Sequence, residues 1–155
     1  MSVCVSCKPL IKRRQFIPMQ ERYTVNTPEK ISALIHASRG VRPVSLGSSK
    51  YRIEQNTVHV RFCSKDNRRP TKFKYNINPN TLTADFELWV CGDASTYYLM
   101  PVSLMQTIYN DSNAYVDRAH PEIRVVSVDT ELDSAIHARG GKFKAIDLYR
   151  NAQLL

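Results

Sequence analysis

Between Thr57 and Cys63, apolar Val58, Val60 and Phe62 alternate with His59, Arg61 and Cys63. This pattern restricts the fold more than any other stretch of the chain. A period of two is that of a strand with one face against a core, and a slip of one residue would expose the whole apolar set. Tyr51 to Glu54 reads as the partner strand, joined through Gln55-Asn56 as a tight hairpin. One face of the hairpin has to be covered. The other presents a histidine and an arginine.

The flanking sequence supplies the elements that could cover it. Thr27-Pro28 is a helix start, because threonine caps a free amide and proline at the first helical position gives up no needed hydrogen bond. Ile31, Leu34 and Ile35 share one helical face, and Gly40 supplies the stop. Val41 to Leu46 reads as a strand that Pro43 confines to an edge, followed by the turn Gly47-Ser48-Ser49. Asp85 to Cys91 and Thr96 to Pro101 read as central buried strands, with Trp89 in the core and Tyr97 and Tyr98 on opposite faces. Ser103 caps a short helix through Tyr109, and Ile123 to Val128 is strand-like. Thr130 opens a further helix carrying Leu132, Ala135 and Ile136, which Gly140-Gly141 ends. In the tail from Phe143 to Leu155, the helical spacing of Ile146, Leu148, Tyr149 and Ala152 implies packing back on the body. The expected fold is α/β (α+β), a central mixed sheet of about four or five strands flanked by helices. Residues 1–25 form a basic N-terminal arm and residues 26–155 a single α/β domain, 155 residues being enough for one sizeable core.

Lys and Arg number 22 against 14 Asp and Glu, a formal charge of +8. Such a field concentrates polyanions, and nucleic acid is the commonest of these inside cells. A membrane surface is excluded as the partner, since no long amphipathic helix with a basic face is present. The chain has no apolar run of membrane-spanning length and no apolar block within Met1 to Gln15, so an intracellular location, cytoplasmic or nuclear, is expected. Cys4, Cys7, Cys63 and Cys91 are then reduced thiols. Cys4 and Cys7 have zinc-ligand spacing but lack a second close pair, and no metal site is assigned to them.

The helix ending in Arg39-Gly40-Val41, the hairpin Lys50-Tyr51-Arg52-Ile53-Glu54 with Val58-His59-Val60-Arg61-Phe62, and then Asp85-Phe86-Glu87-Leu88-Trp89-Val90 and Tyr97-Tyr98-Leu99-Met100-Pro101-Val102 occur in that order. Over about residues 27–106 this order resembles the PD-(D/E)XK (restriction-endonuclease-like) nuclease superfamily. In that family a carboxylate on the first hairpin strand and a (Glu or Gln)-x-Lys on the second hold a divalent metal beside the scissile phosphate. The resemblance places the family's aspartate at or beside Arg52 and its (Glu or Gln)-x-Lys on His59-Val60-Arg61. All three positions depart from the pattern. A divalent cation between two arginines would meet repulsion and too few oxygens, so the resemblance implies a nuclease-like scaffold without metal-dependent cleavage. The same residues suit phosphate, through the arginine fork and an imidazole N–H.

The principal expectation is thus a nucleic-acid-binding protein, DNA foremost, that needs no cofactor. Its contacts would come from Lys65, Arg68, Arg69, Lys72 and Lys74, from Arg52, His59 and Arg61 in the cleft, and from Lys12, Arg13 and Arg14 in the arm. Self-association is left open. An active homing- or restriction-type endonuclease using Mg2+ is the alternative, with Glu54 and Asp85 as catalytic ligands, Asp66 or Glu29 as further candidates, and Lys65 or Lys74 as the lysine. A third reading is an inhibitor or interaction module that meets an acidic protein partner. Pairing of His59 and Arg61 with Glu54 or Asp66 is the plain structural alternative for those two residues. Cys63 as a nucleophile beside His59 is disfavoured, since four strand residues separate them by roughly 13 Å.

Overall fold

In the computed structural model, which describes residues 27–154, helix α1 spans Thr27–Ala37 and buries Lys30, Ala33, Leu34 and Ala37. That spacing is one face of a helix. The helix stops where Arg39 and Gly40 take left-handed backbone, φ 60 and 87, and the Gly40 N–H returns to the Ile35 carbonyl at 2.9 Å. There follow β1 (Val44–Gly47), β2 (Lys50–Ile53), β3 (Asn56–Cys63), β4 (Lys72–Ile77), β5 (Phe86–Cys91), β6 (Tyr97–Pro101), α2 (Val102–Tyr109), β7 (Arg124–Asp129), β8 (Ser134–Ala138) and β9 (Lys142–Ala145).

The strands make two sheets, one ordered β1-β2-β3-β5-β6 and the other β4-β7-β8-β9. The first is mixed, since β3 and β5 run parallel while its other pairings are antiparallel. The second is antiparallel throughout. The protein is therefore α+β, with the mixed sheet expected from the sequence and a second sheet that was not. The hairpin forms, but it turns at Glu54-Gln55 and not at Gln55-Asn56, so Ile53 pairs with Asn56, Arg52 stands opposite Thr57 and Tyr51 opposite Val58. β1 lies at the sheet edge, as Pro43 required.

Three layers result. Val58, Val60, Leu88, Val90, Tyr97 and Leu99 on one face of the first sheet pack with Ala33, Leu34 and Ala37 of α1. On its other face Trp89, Cys91, Tyr98 and Met100 meet Phe73, Tyr75, Val126 and Val128 of the second sheet and Met105 and Ile108 of α2. Each large apolar side chain so covered contributes about 1.5–3 kcal/mol. Both faces being covered, Tyr97 and Tyr98 are both buried. Trp89 is fully buried and stacks on Tyr75 at 4.4 Å between ring centroids, so its place is the core.

The structure corrects the expected helices in several places. Thr130 does not open one. Residues 130–133 form the β7–β8 turn, with Asp133 at φ 48, and Ala135 and Ile136 lie on β8, held between β7 and β9. Leu132, assigned to the helix's packed face, is 72% exposed. The tail is likewise not a helix but β9 followed by a short 3-10 turn, Asp147–Tyr149. It still packs back, since Ile146 is buried against the second sheet and the Leu154 N–H reaches the Ala37 carbonyl at 2.7 Å. Ser103 does not cap α2, whose N-cap position is Pro101. Among the described residues no helix is long and apolar enough to cross a membrane.

Candidate nucleic-acid interface

Pairing across the first sheet arranges its polar side chains in rows on the face turned toward the second sheet, because directly opposed residues share a face. Arg52 stands opposite Thr57, Lys50 opposite His59, His59 beside Glu87, and Arg61 beside Trp89. Successive rows are about 7 Å apart. Arg52, His59 and Arg61, which the resemblance maps onto metal-ligand positions, therefore do share one face. Their surroundings differ sharply.

Glu87 governs the buried rows. Its side chain is completely buried, and it accepts from Arg61 Nε at 2.6 Å, from His59 Nδ1 at 3.0 Å and from Trp89 Nε1 at 3.1 Å. Burial alone would raise the Glu87 carboxyl, but the hydrogen bond from His59, with the charges of Arg61 and His59, outweighs it and holds the group below its ordinary value. An ionised acceptor at Glu87 places the His59 proton on Nδ1. Arg61 spends its remaining nitrogens internally as well. Nη1 donates to the Asn76 carbonyl at 2.8 Å and Nη2 to Thr81 Oγ1 at 2.6 Å. Arg61 thereby ties β3 to the end of β4 and to the 3-10 turn Pro79–Thr81. The partner of His59 and Arg61 is Glu87, not Glu54 or Asp66. Their part in a phosphate cradle is correspondingly small, although Arg52, one row from His59, remains exposed.

The acidic candidates are separated. Glu54 lies exposed at the hairpin tip with φ 55, beyond the end of β2. Asp85 Oδ2 accepts from the Thr57 N–H at 2.8 Å and from Thr57 Oγ1 at 3.0 Å, fastening the hairpin to β5. Glu29 Oε2 takes the Ala94 N–H at 2.8 Å, and Asp66 Oδ1 takes the Arg68 N–H at 2.9 Å in the loop before β4. Among the described residues no three His, Cys, Asp or Glu side chains gather closely enough to hold a metal ion. Burial pushes the Cys91 thiol up to about 12, which makes it an inert core group. Cys63 Sγ faces the Ser64 carbonyl, and His59 is engaged by Glu87.

The second basic group has the opposite character. Lys65, Arg68, Arg69, Lys72 and Lys74 are all exposed, and none forms an ion pair among the described residues. The first three sit in the β3–β4 loop. Lys72 and Lys74 project from β4 on the side away from buried Phe73 and Tyr75, and the turn joining them to the loop closes through the Lys72 N–H to the Arg69 carbonyl at 3.1 Å. Lys12, Arg13 and Arg14, and the pair Cys4 and Cys7, lie outside the described residues.

Glu87 was overlooked in the sequence, where its signal was a lone carboxylate between Phe86 and Leu88 in an apolar strand. Such a group is buried only when it is paired. Thr81 and Asn76 had no comparable signal. No protein-family model, curated protein or solved structure matches the chain.

Proposed function

We propose that the protein binds nucleic acid, DNA foremost, inside the cell, and does so by phosphate contacts on a nuclease-like scaffold that does not use metal for cleavage. The observation that carries this reading is the run Lys65, Arg68, Arg69, Lys72 and Lys74, five exposed cations of which none forms an ion pair among the described residues, although Asp93 lies within electrostatic reach of Lys65. Cations free of ion pairs on an exposed loop and strand follow a phosphate chain and release its counterions. The carboxylates of the nuclease-like face have other employment, Glu87 in accepting from His59 and Arg61 and Asp85 in holding Thr57. A salt titration of binding to a labelled DNA oligonucleotide tests the reading, with log affinity falling linearly against log salt. Absence of binding at low salt would reject it and favour an acidic protein partner. Plasmid held with magnesium and excess protein is expected to stay intact. Cleavage that disappears in Glu54→Ala or Asp85→Ala would establish the nuclease instead.

A further inference from the structure

We infer that the outer face of the second sheet is a platform for single-stranded nucleic acid, on which unpaired bases stack against Phe143 and Tyr115 while the backbone follows Lys72 and Lys74. The inference rests on the proposed function and deepens it by naming the strand form.

The face is read from register. Lys74 stands opposite Ser127, Ser127 opposite Ile136, and Ile136 opposite Phe143. These four residues cross all the strands on one side, away from buried Phe73, Tyr75 and Ile77. Tyr115 joins them because its neighbour Val116 bridges to Arg124, which is opposite inward-facing Ile77. Alternation then turns Tyr115 outward. Its N–H donates to the His137 carbonyl and its carbonyl accepts from Val125, both at 2.9 Å, so it is wedged between β7 and β8.

Phe143 is 58% exposed and Tyr115 38%. Edge strand β9 has protecting charges in Lys142 and Lys144, and the large ring between them is left bare on the face of the sheet. The backbone positions of Phe143 and Tyr115 are two strand spacings apart across the sheet, about 10 Å. Lys72 and Lys74 repeat at about 7 Å along β4. One carboxylate belongs to this face of the strands, Asp129, and it is 6% exposed with Oδ1 accepting from the Glu131 and Leu132 N–H groups. Cations along one edge of the face and exposed rings across it, with the local acid turned to its own backbone, complement a phosphate chain carrying aromatic bases. Paired bases already stack within their duplex and have no free face to give the rings, so the occupant is single-stranded.

The test compares labelled single-stranded and duplex oligonucleotides of one sequence. Wild type is expected to prefer the single strand. Phe143→Leu and Tyr115→Leu should each weaken that binding roughly five-fold or more, leaving duplex affinity and the salt slope unchanged. Phe143→Tyr, which keeps a ring, should bind like wild type, and this separates stacking from a change in fold. Duplex preference, or undiminished single-strand binding by Phe143→Leu, overturns the platform alone. Failure of both nucleic-acid forms to bind overturns the nucleic-acid reading with it.

Discussion

His59 and Arg61 on one side, and Lys65, Arg68, Arg69, Lys72 and Lys74 on the other, lie within sixteen consecutive positions of one chain, 59 to 74, yet the fold treats them in opposite ways. The first pair is turned under the second sheet, where one fully buried carboxylate forms an ion pair with Arg61 and a hydrogen bond with His59. The second group is held in water with no acid paired to it among the described residues. The direction of a side chain from its strand, more than its charge, sets the role. A cation on the covered face of β3 becomes a structural tie, while a cation on the open face of β4 stays available to a ligand. The clearest way to break this contrast is to disturb each group and ask whether stability or binding responds.

The largest effect is expected at Glu87. Glu87→Ala strands a largely buried arginine and removes the acceptor of His59 and Trp89, and breaking a buried pair from one side costs about 3–5 kcal/mol. Chemical denaturation should show the loss as a lowered midpoint. Arg61→Lys keeps the charge but not the fork that reaches Asn76 and Thr81, so its cost should be smaller than that of Glu87→Ala. Both should exceed any single Lys or Arg to Ala change among the exposed five, which should stay within about 0.5 kcal/mol. An Arg61→Lys variant as stable as wild type would abolish the distinction.

Binding should respond in the other region. Arg68→Ala, Arg69→Ala and Lys72→Ala together should leave the unfolding midpoint nearly unchanged and flatten the salt slope of duplex DNA binding by roughly two to three units, at about 0.9 for each phosphate that is no longer neutralised. Wild-type affinity and slope in the triple variant would mean that the charge run serves solubility alone.

What the sequence disclosed follows from how many surfaces each segment meets. The hairpin and α1 were legible because each has one covered face, and a single apolar period results. β8 was not, because Ser134, Ala135, His137 and Ala138 are all buried and the register shifts between Ile136 and Ala138. Without alternation, the chance spacing of Leu132, Ala135 and Ile136 read as a helix. β4 does alternate, with Phe73, Tyr75 and Ile77 against Lys72, Lys74 and Asn76, but its charges join those of the preceding loop in one cationic run that masks the period. The basic loop was visible in composition. The locked state of His59 and Arg61 was not, because it depends on a residue that the parallel β3–β5 pairing brings from another part of the chain.

The smallest effect concerns a third basic group, His137, which sharpens the comparison because it is buried without a neutralising hydrogen bond. Its ring is 1% exposed and neither nitrogen has a hydrogen-bond partner among the described residues. The charged groups around it are Asp111, 3.9 Å away but already paired with Lys142 at 2.7 Å, and Lys144. Burial lowers the imidazole first, Asp111 opposes this, and Lys144 and Lys142 add to it. A base whose folded value lies below its unfolded value near 6.5 is protonated first in the unfolded chain. Stability should therefore fall as pH drops from about 7 toward 5, by no more than about 1.4 kcal/mol per pH unit for one proton. Glu87, held below its ordinary value, adds acid sensitivity only at lower pH, through the carboxylate range. His137→Phe keeps a ring of similar size and should flatten the decline above pH 5, whereas Asp111→Asn removes the one opposing charge and should steepen it. Denaturation midpoints of the three proteins at about pH 5, 6 and 7 decide the matter, and identical pH dependence in wild type and His137→Phe would show that this buried imidazole is not the group that titrates.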